Sequence, residues 1–169
     1  CAKLGSDGVA VYMEQAKPML AFRSQAIESL VAKYAHAAHE NRLRVGLDLF
    51  APSIAFLVGQ DYHILSKYAD FIKPMLYCKT YAPAGLPLEI GLFAKGLEQA
   101  GVEKRMVYSF VSEFFSIETN ILDDIMEKKG ISSSFARREI QKCMQEIDRD
   151  MQAMPYVYAG IELVDHSSY

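Results

Sequence analysis

The sequence lacks most of the features that mark specialised classes of protein. Its 169 residues include only three cysteines, Cys1, Cys78 and Cys143, which are widely spaced and form no Cys-x-x-Cys pair. This pattern gives no disulfide framework and favours reduced thiols in a reducing compartment. No apolar run approaches the roughly 20 residues of a membrane span, and the chain does not open with a signal-peptide pattern. We therefore predict no membrane partner.

Excess positive charge and metal-binding motifs are also missing. Eighteen Lys and Arg residues face 21 Asp and Glu residues, and the net charge of -3 leaves no basic surface for nucleic acid. His36 and His39 lie three apart without a matching carboxylate, and His63 and His166 are isolated, so we predict no metal site. No Gly-rich phosphate loop follows any predicted strand, which argues against a nucleotide-binding sheet. We predict that the protein uses no cofactor.

What is present is an ordinary globular composition with alternating helical and extended segments. Apolar residues make up 51% of the chain and charged residues 23%, which suits one soluble domain. Alternation and flanking turn residues predict three strands, at 44–50, 71–78 and 156–164. Apolar spacing of three and four predicts helical segments, at 19–40, 53–58, 60–69, 87–100 and 134–153. Residues 104–130 are also predicted to be helical, although Met106 to Phe115 would suit a strand by composition.

This alternation predicts an α/β fold with parallel strands covered by helices. A complete (β/α)8 barrel needs at least about 200 residues, and three strands cannot close one. We therefore predict that residues 1–169 are a single-domain fragment, the C-terminal portion of a TIM barrel without its opening strands. The first residue, Cys1, is not a methionine, which agrees with this expectation.

Polar residues occur at matching positions on the three predicted strands. Because strand side chains alternate between faces, one face carries the residues suited to helix packing: Val45, Leu47, Leu49, Ile72, Pro74, Leu76, Ala159, Ile161 and Leu163. The other face carries Asp48, Tyr77 and Glu162 in the C-terminal halves, where barrel active sites lie. Lys73 shares that face earlier in its strand and is predicted to neutralise a carboxylate. Structural roles, as a turn cap or a buried ion pair, are the alternative for each residue.

Three segments of this region resemble a known group of proteins. Val45-Gly46-Leu47-Asp48-Leu49-Phe50-Ala51-Pro52-Ser53, Val58-Gly59-Gln60-Asp61-Tyr62 and Asp70-Phe71-Ile72-Lys73-Pro74-Met75-Leu76-Tyr77 resemble the glycoside-hydrolase-like (β/α)8 barrels of bacteria. Pro83-Ala84-Gly85 and Tyr158-Ala159-Gly160-Ile161-Glu162 are similar as well. The resemblance covers roughly residues 20–100 and 155–164. The acidic motif that such proteins carry on an earlier strand is absent here, which implies that the catalytic machinery of this chain is incomplete.

The resemblance implies a carbohydrate substrate and carboxylate chemistry. Glycoside hydrolysis commonly uses two carboxyl groups, one as acid and one as nucleophile or base. Asp48 and Glu162 are the catalytic candidates. A glutamate at a strand end reaches further into a cleft, so Glu162 is the expected acid/base. Asp48 would then be the nucleophile, a charge stabiliser or a ligand to a sugar hydroxyl. The candidate substrate-binding residues are Tyr77, Phe50, Lys73 and Tyr81.

Two other functions remain open at this point. A barrel aldolase would use Lys73 as a Schiff-base lysine, although its early position in the strand and the following Pro74 argue against this. A non-catalytic carbohydrate-binding or scaffold barrel is the alternative from another class. If the true acid pair lies in the missing strands, Asp48 and Glu162 bind substrate instead. The sequence carries no signal for linkage specificity, oligomeric state or localisation.

Overall fold

The computed structural model describes residues 6–147 and 154–162, which form a mixed α/β structure. In chain order the elements are α1 (Ser6–Glu40), β1 (Gly46–Phe50), α2 (Pro52–Ala55), α3 (Tyr62–Leu65), β2 (Phe71–Met75), α4 (Leu86–Gln99), α5 (Lys104–Phe115), α6 (Thr119–Met126), α7 (Ser133–Glu146) and β3 (Tyr156–Val157). Single 3-10 turns extend α2 and α3, at Phe56–Val58 and Ser66–Tyr68. No helix of this described part is long and apolar enough to cross a membrane.

The three strands form one parallel sheet in the order β1-β2-β3, so the predicted α/β class is confirmed. Gly46 lies opposite Phe71, and Phe71 lies opposite Tyr156. The third strand is shorter than predicted, because only Tyr156–Val157 pair continuously and Gly160 makes an isolated bridge to Met75. The predicted end of this strand, at 163–164, lies outside the described residues.

The chain divides into two compact units. Of the described residues, unit 1 comprises 6–17, 77–135 and 162, and unit 2 comprises 18–76, 136–147 and 154–161. The sheet belongs to unit 2, whereas α4, α5 and α6 belong to unit 1.

Unit 2 has its core on one face of the sheet. Leu49 and Ile72 are buried there against Tyr62 of α3 and Cys143 of α7, and Ile27 of α1 packs at the margin. This is the face that strand alternation assigns to helix packing. Each fully buried aliphatic side chain contributes roughly 1.5–3 kcal/mol, so this face provides most of the stability of the sheet. Ile161 was expected on the same face, but its side chain is 65% exposed.

Unit 1 is organised around aromatic side chains. Phe93 of α4 stacks on Phe110 and Phe114 of α5 with ring centroids 6.2 and 5.2 Å apart, and Tyr12 of α1 meets all three rings edge-on. The helical prediction for 104–130 is confirmed, but the helix is not continuous. Ser116 adopts a left-handed conformation, with φ of 52°, that ends α5.

Helix α1 begins earlier than predicted. The sequence predicted a start at residue 19, directly after Pro18, because proline lacks an N–H and disfavours the helix interior. In the structure α1 runs from Ser6 to Glu40 with Pro18 inside it. Helix α7 ends at Glu146, and the predicted continuation over 148–153 lies outside the described residues.

Candidate functional site

The sheet of unit 2 has one open face. It carries two rows of side chains, Gly46, Phe71 and Tyr156 in one row and Asp48, Lys73 and Tyr158 in the next. Tyr156 is 65% exposed and Tyr158 is 54% exposed. Parallel sheets are normally covered on both faces, so an exposed face on such a sheet is unusual. This face, which we call the open sheet face, is the candidate site of unit 2.

Asp48 and Lys73 form an ion pair on this face. The distance from Lys73 Nζ to Asp48 Oδ2 is 2.6 Å, and the side chain of Lys73 is 35% exposed and that of Asp48 54%. A pair in this setting is worth at most about 1 kcal/mol, because water screens both charges. The pair therefore adds little stability compared with the apolar face behind it. Its chemical effect is to place an ammonium group beside the Asp48 carboxylate.

Aromatic rings and an arginine occupy the neighbouring row, toward the N-termini of the strands. The Arg44 guanidinium lies 6.0 Å from the Phe71 ring centroid and 5.8 Å from that of Tyr156, and Phe71 meets Tyr158 edge-on at 5.8 Å. A Cβ atom on Gly46 would lie 2.0 Å from the Phe71 ring, so only glycine lets this ring lie across β1. The sequence could have indicated Phe71 and Tyr156, because strand alternation places their side chains on the same face as that of Asp48.

The end of β1 is fixed by side chains rather than by another strand. Phe50 N donates to Gln60 Oε1 at 2.7 Å, and Tyr62 Oη donates to the Phe50 carbonyl at 2.7 Å. Burial raises the pKa of Tyr62 far above its usual value, so the hydroxyl remains a donor. The Phe50 ring, predicted as a wall of the substrate site, is partly buried against the core of unit 2.

Three of the predicted site residues belong to unit 1. Glu162 Oε1 accepts a hydrogen bond from Lys79 N, and Glu162 Oε2 is buried without a hydrogen-bond partner among the described residues. The Tyr77 carbonyl accepts from Leu86 N at 2.9 Å. Among the described residues, one carboxylate oxygen of Glu162 therefore accepts a hydrogen bond and the other does not.

Tyr81 holds the segment after α6. Its hydroxyl donates to the Ile125 carbonyl at 2.9 Å and accepts from Gly130 N at 3.0 Å. Burial raises the pKa of this phenol, whereas the Gly130 N–H lowers it. Because the hydroxyl already makes two backbone hydrogen bonds, a substrate would meet the ring of Tyr81 rather than its hydroxyl.

A buried polar network in unit 2 was not predicted. Glu139 of α7 is only 1% exposed. Its Oε2 accepts from Ser53 N at 2.7 Å and its Oε1 accepts from Ser53 Oγ at 2.6 Å, while Lys142 Nζ donates to Ser53 Oγ at 2.7 Å. Glu139 precedes the buried Cys143 by four residues and so lies in line with the apolar stripe of α7. That spacing was the signal in the sequence.

Both histidines of α1 have a carboxylate partner. His36 Nε2 lies 3.2 Å from Glu40, and His39 Nε2 lies 3.1 Å from Asp70 Oδ2. Asp70 also accepts from Val45 N at 2.7 Å. The Val45 N–H first, and His39 second, hold the pKa of Asp70 below its usual value. Within residues 6–147 and 154–162, no group of three His, Cys, Asp or Glu residues could hold a metal ion.

Comparison with known proteins assigns no family. No family model, curated protein or solved structure matches the chain.

Proposed function

We propose that unit 2 is part of a (β/α)8 barrel and that the open sheet face forms part of the barrel interior. Three observations support this proposal. The strands are parallel, they neighbour one another in sequence order, and within the described part of unit 2 the helices pack on the face of Leu49 and Ile72. A parallel sheet with one bare face exposes aromatic and polar groups that a closed barrel would enclose.

The proposed activity is glycoside-hydrolase-like chemistry on a carbohydrate. The observation that carries it is that an ion-paired carboxylate, Asp48 of β1, and an exposed aromatic ring, Tyr158 after β3, share one face of the sheet, with Lys73 of β2 between them. Aromatic faces offer a flat apolar surface to the C–H groups of a sugar ring, and the carboxylate accepts from its hydroxyl groups. Asp48 is placed in the middle of its strand, with one oxygen committed to Lys73.

In this proposal the two candidate carboxylates have different tasks. Glu162 has an oxygen without a described partner, which suits proton transfer to and from a leaving oxygen. Asp48 is paired with Lys73, and a carboxylate at this position suits stabilisation of positive charge developing at the anomeric carbon, or attack on it. Carboxylates contributed by other strands of the barrel would take over either task if Asp48 and Glu162 only bind the substrate.

A non-catalytic carbohydrate-binding barrel is the second candidate. The observation in its favour is the same ion pair, because a carboxylate 2.6 Å from an ammonium group is a weaker nucleophile than a free one. The aldolase alternative has less support. A Schiff-base lysine is activated by an apolar pocket or a neighbouring cation, and Lys73 instead has a carboxylate beside it.

The barrel itself can be tested on the full-length protein that contains this chain. We expect Tyr156 and Tyr158 to be protected from acetylation by N-acetylimidazole, because further strands cover the open sheet face. Tyr34 of α1 is 71% exposed and serves as the reactive control. Acetylation of Tyr156 and Tyr158 at the rate of Tyr34 would show that nothing covers this face, and the barrel proposal would fail.

The activity is tested by release of reducing sugar from a panel of polysaccharides and aryl glycosides. We expect Asp48→Asn and Glu162→Gln to lower kcat by about 10²–10⁴-fold, the range for acid–base groups, while Glu118→Gln, on an exposed helix start, leaves it unchanged. Binding without hydrolysis, weakened by Tyr158→Ala, would establish the non-catalytic alternative. If the protein neither binds nor cleaves any glycan, both proposals are refuted.

A further inference from the structure

Helix α1 carries an exposed apolar face in unit 2 that the proposed carbohydrate site does not use. Phe22 and Tyr34 are each 71% exposed. Leu30 is 50% exposed and Met19 46%. A contiguous exposed apolar patch of this kind marks an interaction site, whereas single exposed apolar residues are ordinary. We call the patch the outer face of α1, and it consists of Met19, Phe22, Ala26, Leu30, Tyr34 and Ala37.

The outer face is not the face by which α1 packs in unit 2. Ile27 and Val31 pack against the core of that unit, and Glu28 Oε1 accepts from Tyr68 Oη at 3.0 Å. At about 100° per residue, the six residues of the outer face lie within about 60° of one line along the helix, and Glu28 lies on the opposite side. The outer face is therefore uncovered within the described part of unit 2.

The residues of this face are arranged symmetrically about position 28. Aromatic residues occur six positions before and after it, and cationic residues occur five positions before and after it. An alanine and a larger aliphatic residue make the other two pairs. A two-fold axis requires such a pattern, because residue i then meets residue j while j meets i. The partner that this spacing fits is a second copy of the chain. The pairs are Phe22 with Tyr34, Arg23 with Lys33, Ala26 with Leu30, and Met19 with Ala37.

Antiparallel pairing about this axis places large side chains against small ones. Met19 meets Ala37 of the second copy, and Leu30 meets Ala26 of the second copy. Facing positions that alternate in size let two helices approach closely and interdigitate. The central line of the outer face is therefore complementary to itself.

The flanks of the outer face are complementary as well. In the same pairing, Phe22 lies beside Lys33 of the second copy, and Arg23 lies beside Tyr34 of the second copy. A cation over an aromatic ring is attracted by the ring quadrupole. Arg23 Nη1 donates to the Leu57 carbonyl, which holds its guanidinium near this flank. The like charges of the two copies lie on opposite flanks, where water and salt screen them.

The available area suits a reversible dimer. A Phe or Tyr side chain presents roughly 150–250 Å², so 71% exposure leaves on the order of 100–180 Å² on each ring of the outer face. Together with the half-exposed Met19 and Leu30, the two rings supply about 500 Å² per copy, close to the lower limit of about 1,000 Å² in total for a specific interface.

We propose that the outer face of α1 binds the same face of a second copy of this chain, with the two helices antiparallel. The inference does not depend on the proposed carbohydrate activity, because no residue of the outer face lies on the open sheet face.

Sedimentation equilibrium of the protein between about 5 µM and 0.5 mM tests this proposal, because an interface at the lower size limit binds weakly. We expect a reversible monomer–dimer equilibrium. Phe22→Ser and Tyr34→Ser should each weaken the dimer by at least about 30-fold, the effect of losing one anchoring residue. Leu43→Ser changes a residue that is 62% exposed outside the outer face, and this matched control should dimerise as the unmodified protein does.

Cysteine substitutions test the antiparallel register. Position 19 of one copy meets position 37 of the other, so oxidation of a mixture of Met19→Cys and Ala37→Cys should link these two positions, as located by peptide mass spectrometry. Neither variant alone should link to itself at the new cysteine, because like positions lie about 27 Å apart along the helix axis. A parallel pair would instead link position 37 to position 37.

A measurement on the unmodified protein guards against variants that do not fold. Acetylation of Tyr34 by N-acetylimidazole should be fast at about 1 µM and slower at about 0.5 mM, where the dimer covers this ring. The comparison with Tyr156 and Tyr158 described above therefore uses the dilute protein. A monomer at the highest concentration, full-strength dimers of both Phe22→Ser and Tyr34→Ser, or a link between like positions would overturn the proposal.

Discussion

Loss of the Glu139 carboxylate should destabilise unit 2 more than loss of any surface charge. Helix α2 begins after Ala51, which has no side-chain acceptor for its first N–H groups. Glu139, 86 positions further along the chain, provides this acceptor for Ser53 N and a second one for Ser53 Oγ. In Glu139→Leu both donors stay buried without a partner. Each unmet donor costs about 1–3 kcal/mol, and breaking a buried charged contact typically costs about 3–5 kcal/mol in total.

We therefore expect Glu139→Leu to lower the free energy of unfolding by about 3–5 kcal/mol. Urea denaturation measures this as a shift of the midpoint at constant slope. Adding Ser53→Ala to Glu139→Leu removes one of the two unmet donors. The double variant should therefore lose less stability than the sum of the losses in the two single variants, by about 0.5–3 kcal/mol. Glu118→Gln is the exposed control. A loss below about 1 kcal/mol in Glu139→Leu, the level of an ordinary surface pair, would refute the reasoning.

Three further predictions concern other contacts. The folded-state pKa of Asp70 lies below its unfolded value of about 3.9, so the contribution of Asp70 to folding stability is present above that pH and is lost as the pH falls through the folded-state pKa. Asp70→Asn should therefore lower stability at neutral pH and flatten the acid limb of a stability–pH curve. An unchanged acid limb would contradict this. Burial raises the pKa of Cys143 to about 12, so iodoacetamide at pH 8 should label this thiol only after unfolding in urea; rapid labelling of the native protein would contradict it. Gly46→Ala forces the Phe71 ring away and should lower the free energy of unfolding by about 1–3 kcal/mol. Gly96→Ala in α4 has open space around its Cβ and should raise the free energy of unfolding by about 0.5–1 kcal/mol. The opposite order of the two variants in thermal unfolding would contradict the packing described for Gly46.

The secondary structure followed from local signals where side chains alternate or repeat regularly. Alternation in Gly46–Phe50 and Phe71–Met75 predicted both strands, and the apolar stripe of α7 predicted that helix. The errors occur where backbone geometry or long-range pairing decides. Ser116 ends α5 in a left-handed conformation that serine rarely adopts, and no sequence pattern indicates it. The third strand is short because its pairing depends on β2, not on its own composition.

The candidate site was predictable only in part. Alternation placed Asp48 and Lys73 on one face, and the structure brings them into contact at 2.6 Å. Glu139 was missed because a glutamate on an amphipathic helix is usually solvated, and its burial depends on Ser53, which lies 86 positions away. Asp48 belongs to unit 2 and Glu162 to unit 1, and the variants proposed above test each carboxylate separately.

The strongest argument about function is that the two faces of the sheet differ in burial. Leu49 of β1 and Ile72 of β2 are buried as in any parallel sheet, whereas Asp48 of β1, Tyr156 of β3 and Tyr158 after it are exposed on the other face. Tyr156 and Tyr158 are 65% and 54% exposed, so another molecule or further strands that covered these rings would gain free energy by removing their apolar surface from water. Protection of the two tyrosines in the full-length protein therefore distinguishes a barrel interior from a surface that a ligand alone covers.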